Sequence, residues 1–246
     1  MAVRTFQRKE LKFMITTEQY KALLPTLLEH MNYDKHCTNG GYSIYNIYYD
    51  TVGNDIIRNS VAKPKYKEKL RLRSYEVPKG LDNKVYLELK KKINGVVSKR
   101  RATVTLKEAY DFVEKGIKPS AQKYLDKQVI EEIAYHISQH KLIPALFLSY
   151  DRVALVGKED KNFRLTLDNN IQTRRYDLKL ERGAYGEQLL EKDRYIMEVK
   201  VVGGMPLWLA HEFTKLKISR ISFSKYGTEF KKHIKLQKSN IAEHTA

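Results

Sequence analysis

The sequence holds a single cysteine, Cys37, so no intramolecular disulfide can form. Its seven histidines are scattered, and no Cys/His cluster offers a zinc site, which suits a reducing compartment and leaves any metal to oxygen ligands. Long apolar runs are also missing. Nowhere do 18 apolar residues follow one another, and the start, MAVRTFQRKELKFMI, has neither the apolar stretch nor the small-residue cleavage site of a signal peptide. A soluble, cytoplasmic protein without a transmembrane segment is therefore expected. Proline and glycine are few, with no Pro/Gly/Ser linker, low-complexity tract or internal repeat, so a single domain over residues 1–246 is expected. A glycine-rich P-loop is lacking too, so nucleotide phosphates would be held by side chains rather than by a backbone cradle.

Negative charge is scarce beside positive charge. Only 29 Asp and Glu stand against 46 Lys and Arg, a formal net charge of +17. Such an excess points to a polyanionic partner: nucleic acid, anionic lipid or a free phosphate chain. With no RNA-recognition, KH or zinc-finger motif in the sequence, nucleic acid is not the expected one. Hydrophobic residues make up 42% of the chain, enough for a substantial core.

Turn residues at Gly40-Gly41, Pro78-Lys79-Gly80, Asn94-Gly95 and Gly203-Gly204 separate short alternating segments. Strands are predicted at 5–15, 42–50, 67–75, 84–92, 97–105, 147–155, 163–168 and 194–202, with a weaker one near 172–180. Helices are predicted after Thr17 as N-cap, with Pro25 as a potential kink, over 106–115 and 120–139, and from Pro206 to about Lys217. The tail KKHIKLQKSNIAEHTA reads as a fraying helix end. This many strands suggests closure into an α+β antiparallel β-barrel with helices packed outside.

Side chains two apart in a strand share a face, so each strand divides into two. Arg8, Glu10 and Lys12 oppose Leu11, Phe13 and Ile15. Lys69, Arg71 and Arg73 oppose Leu70 and Leu72, while Lys84, Tyr86, Glu88 and Lys90 oppose Val85, Leu87 and Leu89. The same division sets Lys99, Arg101 and Thr103 against Arg100, Ala102 and Val104. It sets Arg164, Thr166 and Asp168 against Phe163, Leu165 and Leu167, and Glu198 and Lys200 against Met197, Val199 and Val201. A single strand of this kind is an ordinary sheet with one face in water. Six of them, dominated by Lys and Arg with Glu-x-Lys repeated in three, suggest a polar, cationic lumen that needs water or anions to fill it.

In order and spacing, RKELKFMI, IYYDT, KLRLRSY, VYLELKKK, SKRR, LSYDRVAL, RLTLD, IMEVKV and ISFSKYGTEF make the chain resemble a triphosphate tunnel metalloenzyme. Within that superfamily it is similar to the polyphosphate polymerase domain of the vacuolar transporter chaperone complex. The resemblance covers nearly the whole chain. It implies that Lys12, Arg71, Arg73, Lys90, Lys99, Arg101, Arg152, Arg164, Lys200 and Lys225 line a tunnel. Arg152 and Lys225 rest on the YDR and SKY matches alone. Glu198 would hold Mg²⁺ or Mn²⁺ with Glu10 and Glu88 as helpers; ion pairing is the competing role of those two, and Asp168 is open between the same readings. One departure is Arg8, where tunnel phosphatases typically begin with the first Glu of Glu-x-Glu-x-Lys.

The implied activity is transfer of the ATP γ-phosphoryl group to a growing polyphosphate chain, with an inorganic triphosphatase or a noncatalytic polyanion- or RNA-binding module as alternatives. Arg suits such a site because its planar fork grips two phosphate oxygens, whereas Lys acts as a compact charge. Coupling to a membrane or to transport would need partners outside this sequence. The tyrosines at 42, 45, 48 and 49 read as strand and core residues rather than base-stacking platforms. His136 and His140 stand four apart on a helix, but without an HExxH context they read as a solvated face.

Overall fold

A computed structural model describes residues 8–37, 40–94, 96–120 and 124–244. The strands are β1 (Arg8–Thr16), β2 (Met31–Tyr33), β3 (Tyr42–Asp50), β4 (Tyr66–Ser74), β5 (Lys84–Ile93), β6 (Val96–Thr105), β7 (Ile143–Gly157), β8 (Arg164–Arg174), β9 (Glu187–Gln188), β10 (Arg194–Val202) and β11 (Arg220–Ile221). The helices are α1 (Thr17–His30), α2 (Asp55–Val61), α3 (Leu106–Lys115), α4 (Tyr124–Gln139), α5 (Leu207–Lys215) and α6 (Lys225–His244). The 5–7 part of the first predicted strand and Gly95 of the Asn94-Gly95 turn lie outside the described residues. Asn94 itself has φ +47°, the left-handed conformation a two-residue hairpin turn requires.

Strand order is β11-β1-β10-β8-β7-β3-β4-β5-β6, with β2 on β7 and β9 on β8. Among the described residues this path ends at β11 and β6. The predicted closed barrel is therefore corrected to an open antiparallel sheet. Short strands account for part of the difference: β11 adds only Arg220–Ile221 beside β1. No described helix is long and apolar enough to cross a membrane.

The chain divides into two compact units. In the first, residues 1–43, 150–171 and 190–223, β1 pairs with β10 so that Leu11, Phe13 and Ile15 lie beside Val199, Met197 and Tyr195. Helix α1 covers this apolar face with Leu23 and Leu27, and α5 does so with Leu209 and Phe213. The start of α1 is fixed by a capping box, in which the Thr16 hydroxyl accepts from Gln19 N–H and the Gln19 side chain accepts from Thr16 N–H. The cap is thus Thr16 and not the predicted Thr17, and Pro25 is accommodated inside the helix.

In the second unit, residues 44–149, 172–189 and 224–246, β4 and β5 place Leu70, Leu72, Val85, Leu87 and Leu89 on one face. Helix α3 packs there through Leu106, Ala109, Phe112 and Val113, and α4 through Val129, Ile130 and Ile133. Each fully buried Leu contributes about 1.5–3 kcal/mol. Because this burial fixes the register, the opposite charged faces are fixed with it.

Candidate phosphate and metal site

In the second unit, pairing turns the sequence alternation into rows across the sheet. Arg71 lies opposite Tyr48 on β3 and Glu88 on β5, and Glu88 lies opposite Arg101 on β6. Arg73 lies between Asn46 and Tyr86, and Lys90 between Lys69 and Lys99. Glu88 is the hub. Its side chain is 1% exposed, and it accepts from Arg71 Nε at 2.8 Å, Arg71 Nη2 at 2.6 Å and Arg101 Nε at 2.7 Å, with Arg101 Nη2 closer still. Lys99 Nζ stands 3.6 Å away and Arg73 Nε 3.9 Å. Burial alone would raise the Glu88 carboxyl, but Arg71, Arg73, Lys99 and Arg101 hold it well below the usual carboxylate range. Four cations around one carboxylate leave a surplus of positive charge. Glu88 is thus an ion-pair partner that organises this surplus.

Neighbours fix the arginines. Arg73 Nε donates to Asn46 Oδ1 at 2.9 Å, and the Asn46 amide donates in turn to the Leu148 carbonyl. Arg71 Nη1 donates to the Tyr48 hydroxyl at 3.1 Å. The Arg101 guanidinium lies 4.6 Å from the Tyr86 ring centre and donates to Tyr75 Oη at 2.9 Å. Tyr48 is buried, which would raise its phenol, yet Arg71, Arg73 and Lys69 bring it down to about 8. Lys69 is brought down to about 8 as well, by burial first, with Lys67 and Lys90 adding repulsion. None of Asn46, Tyr48, Tyr75, Tyr86 or Lys69 is among the residues the resemblance singles out. The alternation in β3 was the available signal, since Asn46, Tyr48 and Asp50 share one face.

Lys225 begins α6, and its neighbour Tyr226 ties that helix to α2. Tyr226 Oη donates to Asp50 Oδ2 at 2.8 Å, while the two Asp50 oxygens also accept the Ile56 and Ile57 N–H groups at 2.9 and 3.0 Å. Asp50 therefore caps α2 from a distance, because Asn54 at the helix start makes no side-chain cap. Arg175 adds two hydrogen bonds of 2.7 Å to Glu229 of α6. The fragments IYYDT and SKYGTEF are thus one clamp, which the sequence did not reveal as a contact.

The first unit gathers carboxylates. Lys12 faces Glu198 across β1 and β10, Glu10 faces Lys200, and on β8 Thr166 and Arg164 continue the rows of Glu198 and Lys200. Lys12 Nζ lies 3.1 Å from Glu198 Oε1 and 3.4 Å from Glu10 Oε1, and Lys200 Nζ lies 3.9 Å from Glu10 Oε2. Burial would lower the Lys12 ammonium, but Glu198 and Glu10 raise it above its ordinary value, so it stays charged. Arg152 grips buried Asp168 with Nε–Oδ1 at 2.6 Å and Nη2–Oδ2 at 2.7 Å. That contact makes Asp168 an ion-pair partner. Burial disfavours the Arg152 charge, yet Tyr150 and Asp168 push its pKa well above the ordinary value.

The donor set can be tested against a metal. Glu198, 12% exposed at its side chain, and Glu10 share one ammonium and offer only oxygen. In the same row as Glu198, the Thr166 hydroxyl is buried with no hydrogen-bond partner among the described residues. Hard oxygen donors and an unmatched hydroxyl fit Mg²⁺ or Mn²⁺, which keep waters and take one or two carboxylates.

The profile of the VTC domain family matches residues 7–234. The chain belongs to that family. No curated protein matches it. Among solved structures, it is similar to a Bacillus halodurans protein described as a candidate adenylate cyclase. The two are 17% identical with a TM-score of 0.52, over 88% of this chain and 95% of that one. At this identity the likeness bears on fold alone: an antiparallel sheet of the tunnel type with helices. VTC membership and this fold together support a phosphoryl-transfer enzyme of the tunnel family.

Proposed function

We propose that the chain acts as one catalytic domain that transfers the γ-phosphoryl group of ATP to the end of a polyphosphate chain, releasing ADP. The observation that carries the reading is the division of charge: cations exceed carboxylates around Glu88, while Glu10 and Glu198 bracket Lys12. In the transfer, an oxygen of the acceptor's terminal phosphate forms the new bond to the γ-phosphorus, and the bond to the β–γ bridging oxygen breaks, leaving its electron pair with ADP. This chemistry needs positioning and charge stabilisation more than covalent help.

Arg71, Arg73 and Arg101 hold phosphate oxygens in forked pairs, with Lys90, Lys99 and Lys225 as point charges along the chain. Lys12, Arg152, Arg164 and Lys200 stabilise charge at the transferring group. Glu198 holds Mg²⁺ or Mn²⁺ with help from Glu10, and the ion, when bound, neutralises phosphate oxygens. Glu88 holds the arginines that face it. An anionic acceptor, rather than water, is favoured by the excess of cations and by Arg8 in place of a carboxylate.

The test is to incubate the purified chain with ATP and Mn²⁺ or Mg²⁺, with and without a short polyphosphate primer, and to resolve products by length. A ladder growing beyond the primer with matching ADP is expected. Orthophosphate release that ignores the primer would replace the polymerase with a triphosphatase.

A further inference from the structure

Helix α4 carries Val129, Ile133 and His136 along one stripe, His140 follows directly after the helix ends at Gln139, and the stripe runs onto β4. The apolar side of β4 presents Leu70 and Leu72, and the next residue of the same parity is Glu68. His136 is therefore not on a solvated face, as its sequence context suggested, but 1% exposed against that carboxylate. Its Nδ1 lies 2.7 Å from Glu68 Oε1, and His140 Nε2 lies 3.9 Å from the same oxygen. The two rings meet edge to face with centres 4.9 Å apart. One ligand atom from each of the three residues lies within 4.8 Å of the other two.

We infer that Glu68, His136 and His140 form a binding site for a first-row divalent transition ion, zinc being the ion this ligand set suits best, separate from the phosphate-associated metal at Glu198. Two imidazoles and one carboxylate favour zinc and its neighbours over Mg²⁺, which prefers oxygen alone. Metal–ligand bonds of about 2.0–2.1 Å at tetrahedral angles set ligand atoms roughly 3.3 Å apart. The observed 2.7 and 3.9 Å contacts of Oε1 bracket that spacing, and the three ligand atoms, within 4.8 Å of one another, close on the ion by side-chain rotation.

The surroundings are those of an oriented site. Tyr66 Oη donates to the other carboxylate oxygen, Oε2, at 2.7 Å, and so fixes the plane of Glu68. The remaining nitrogen of His136, Nε2, is buried and has no hydrogen-bond partner among the described residues, so the Nδ1 contact with Glu68 is what orients this ring. Lys91 lies opposite Glu68 in the register, but its ammonium reaches Glu132, 3.6 Å away, which Arg100 also contacts at 3.2 Å. The site sits on the face of β4 opposite Arg71 and Arg73, and an ion there would staple α4 to the strand that carries them.

Zinc titration of the full chain tests this, with Mg²⁺ in large excess to occupy oxygen sites and no nucleotide present. One zinc per chain is expected, also in Glu198→Gln, and Co²⁺ in its place should give the strong visible absorption of a tetrahedral site. His140→Ala and Glu68→Gln should each weaken zinc binding by more than about tenfold. Both sparing replacements avoid emptying the buried His136 position, and circular dichroism confirms that they fold. No stoichiometric zinc under excess Mg²⁺, or full affinity in both folded variants, would overturn the assignment.

Discussion

Glu88→Ala is expected to lower folding stability by about 3–5 kcal/mol, the range for removing one partner of a buried ion pair. The carboxylate is almost fully buried, whereas Arg71 and Arg101 are 19% and 32% exposed at their side chains, which places the loss toward the lower end. Once it is gone, the cations lose the carboxylate they share. An added anion should then matter more than in the unchanged protein: tripolyphosphate should recover a larger share of stability in Glu88→Ala by binding the folded state. Urea denaturation with and without tripolyphosphate reads both effects. A loss under about 1 kcal/mol, with no added rescue, would contradict the role of Glu88 as organiser. The pH dependence has a definite sign. Since the folded carboxyl is held below its ordinary value of 4.5, its contribution is complete above that pH and disappears only on strong acidification.

Glu198→Gln should leave the fold intact and cut metal-dependent turnover by roughly 10²–10³, comparable to losing one group that stabilises transition-state charge. The amide keeps the shape but offers the ion no negative charge. Lys12 still has Glu10 at 3.4 Å, so the ammonium is not stranded. Tripolyphosphate binding without metal should persist, because the cations around Glu88 are untouched. Rate against Mn²⁺ concentration is the measurement, and an unchanged metal dependence would remove Glu198 from the metal site.

The charged and apolar faces were legible because a two-residue period is written directly into strands such as Lys69–Arg73 and Lys84–Lys90. Strands β3 and β10 match their predicted limits, and α3 does as well. Connectivity was harder to read. Two-residue strands such as β9 and β11 leave no periodic trace, and α2 is a short helix capped from Asp50 rather than from its own first residue. Roles set by contacts across long sequence separations were also hidden. Arg175 meets Glu229, Asp50 meets Tyr226, and His136 meets Glu68, none of which a local pattern announces. For His136 the polar helix context pointed the wrong way, because the decisive neighbour lies on a strand 68 residues earlier.

At the centre of the account is the assignment of the charged strand faces to a phosphate chain rather than to polyanions at large. Binding of tripolyphosphate, orthophosphate, RNA and heparin to the purified chain, compared at low and moderate salt, tests it most directly. Tripolyphosphate should bind far more tightly than orthophosphate and keep most of its affinity as salt rises, since partly buried charges are weakly screened. Its affinity should fall as pH passes about 8, where Lys69 loses its charge and Tyr48 gains one. Equal affinity for RNA, heparin and tripolyphosphate, all vanishing together with salt through counterion effects, would contradict it.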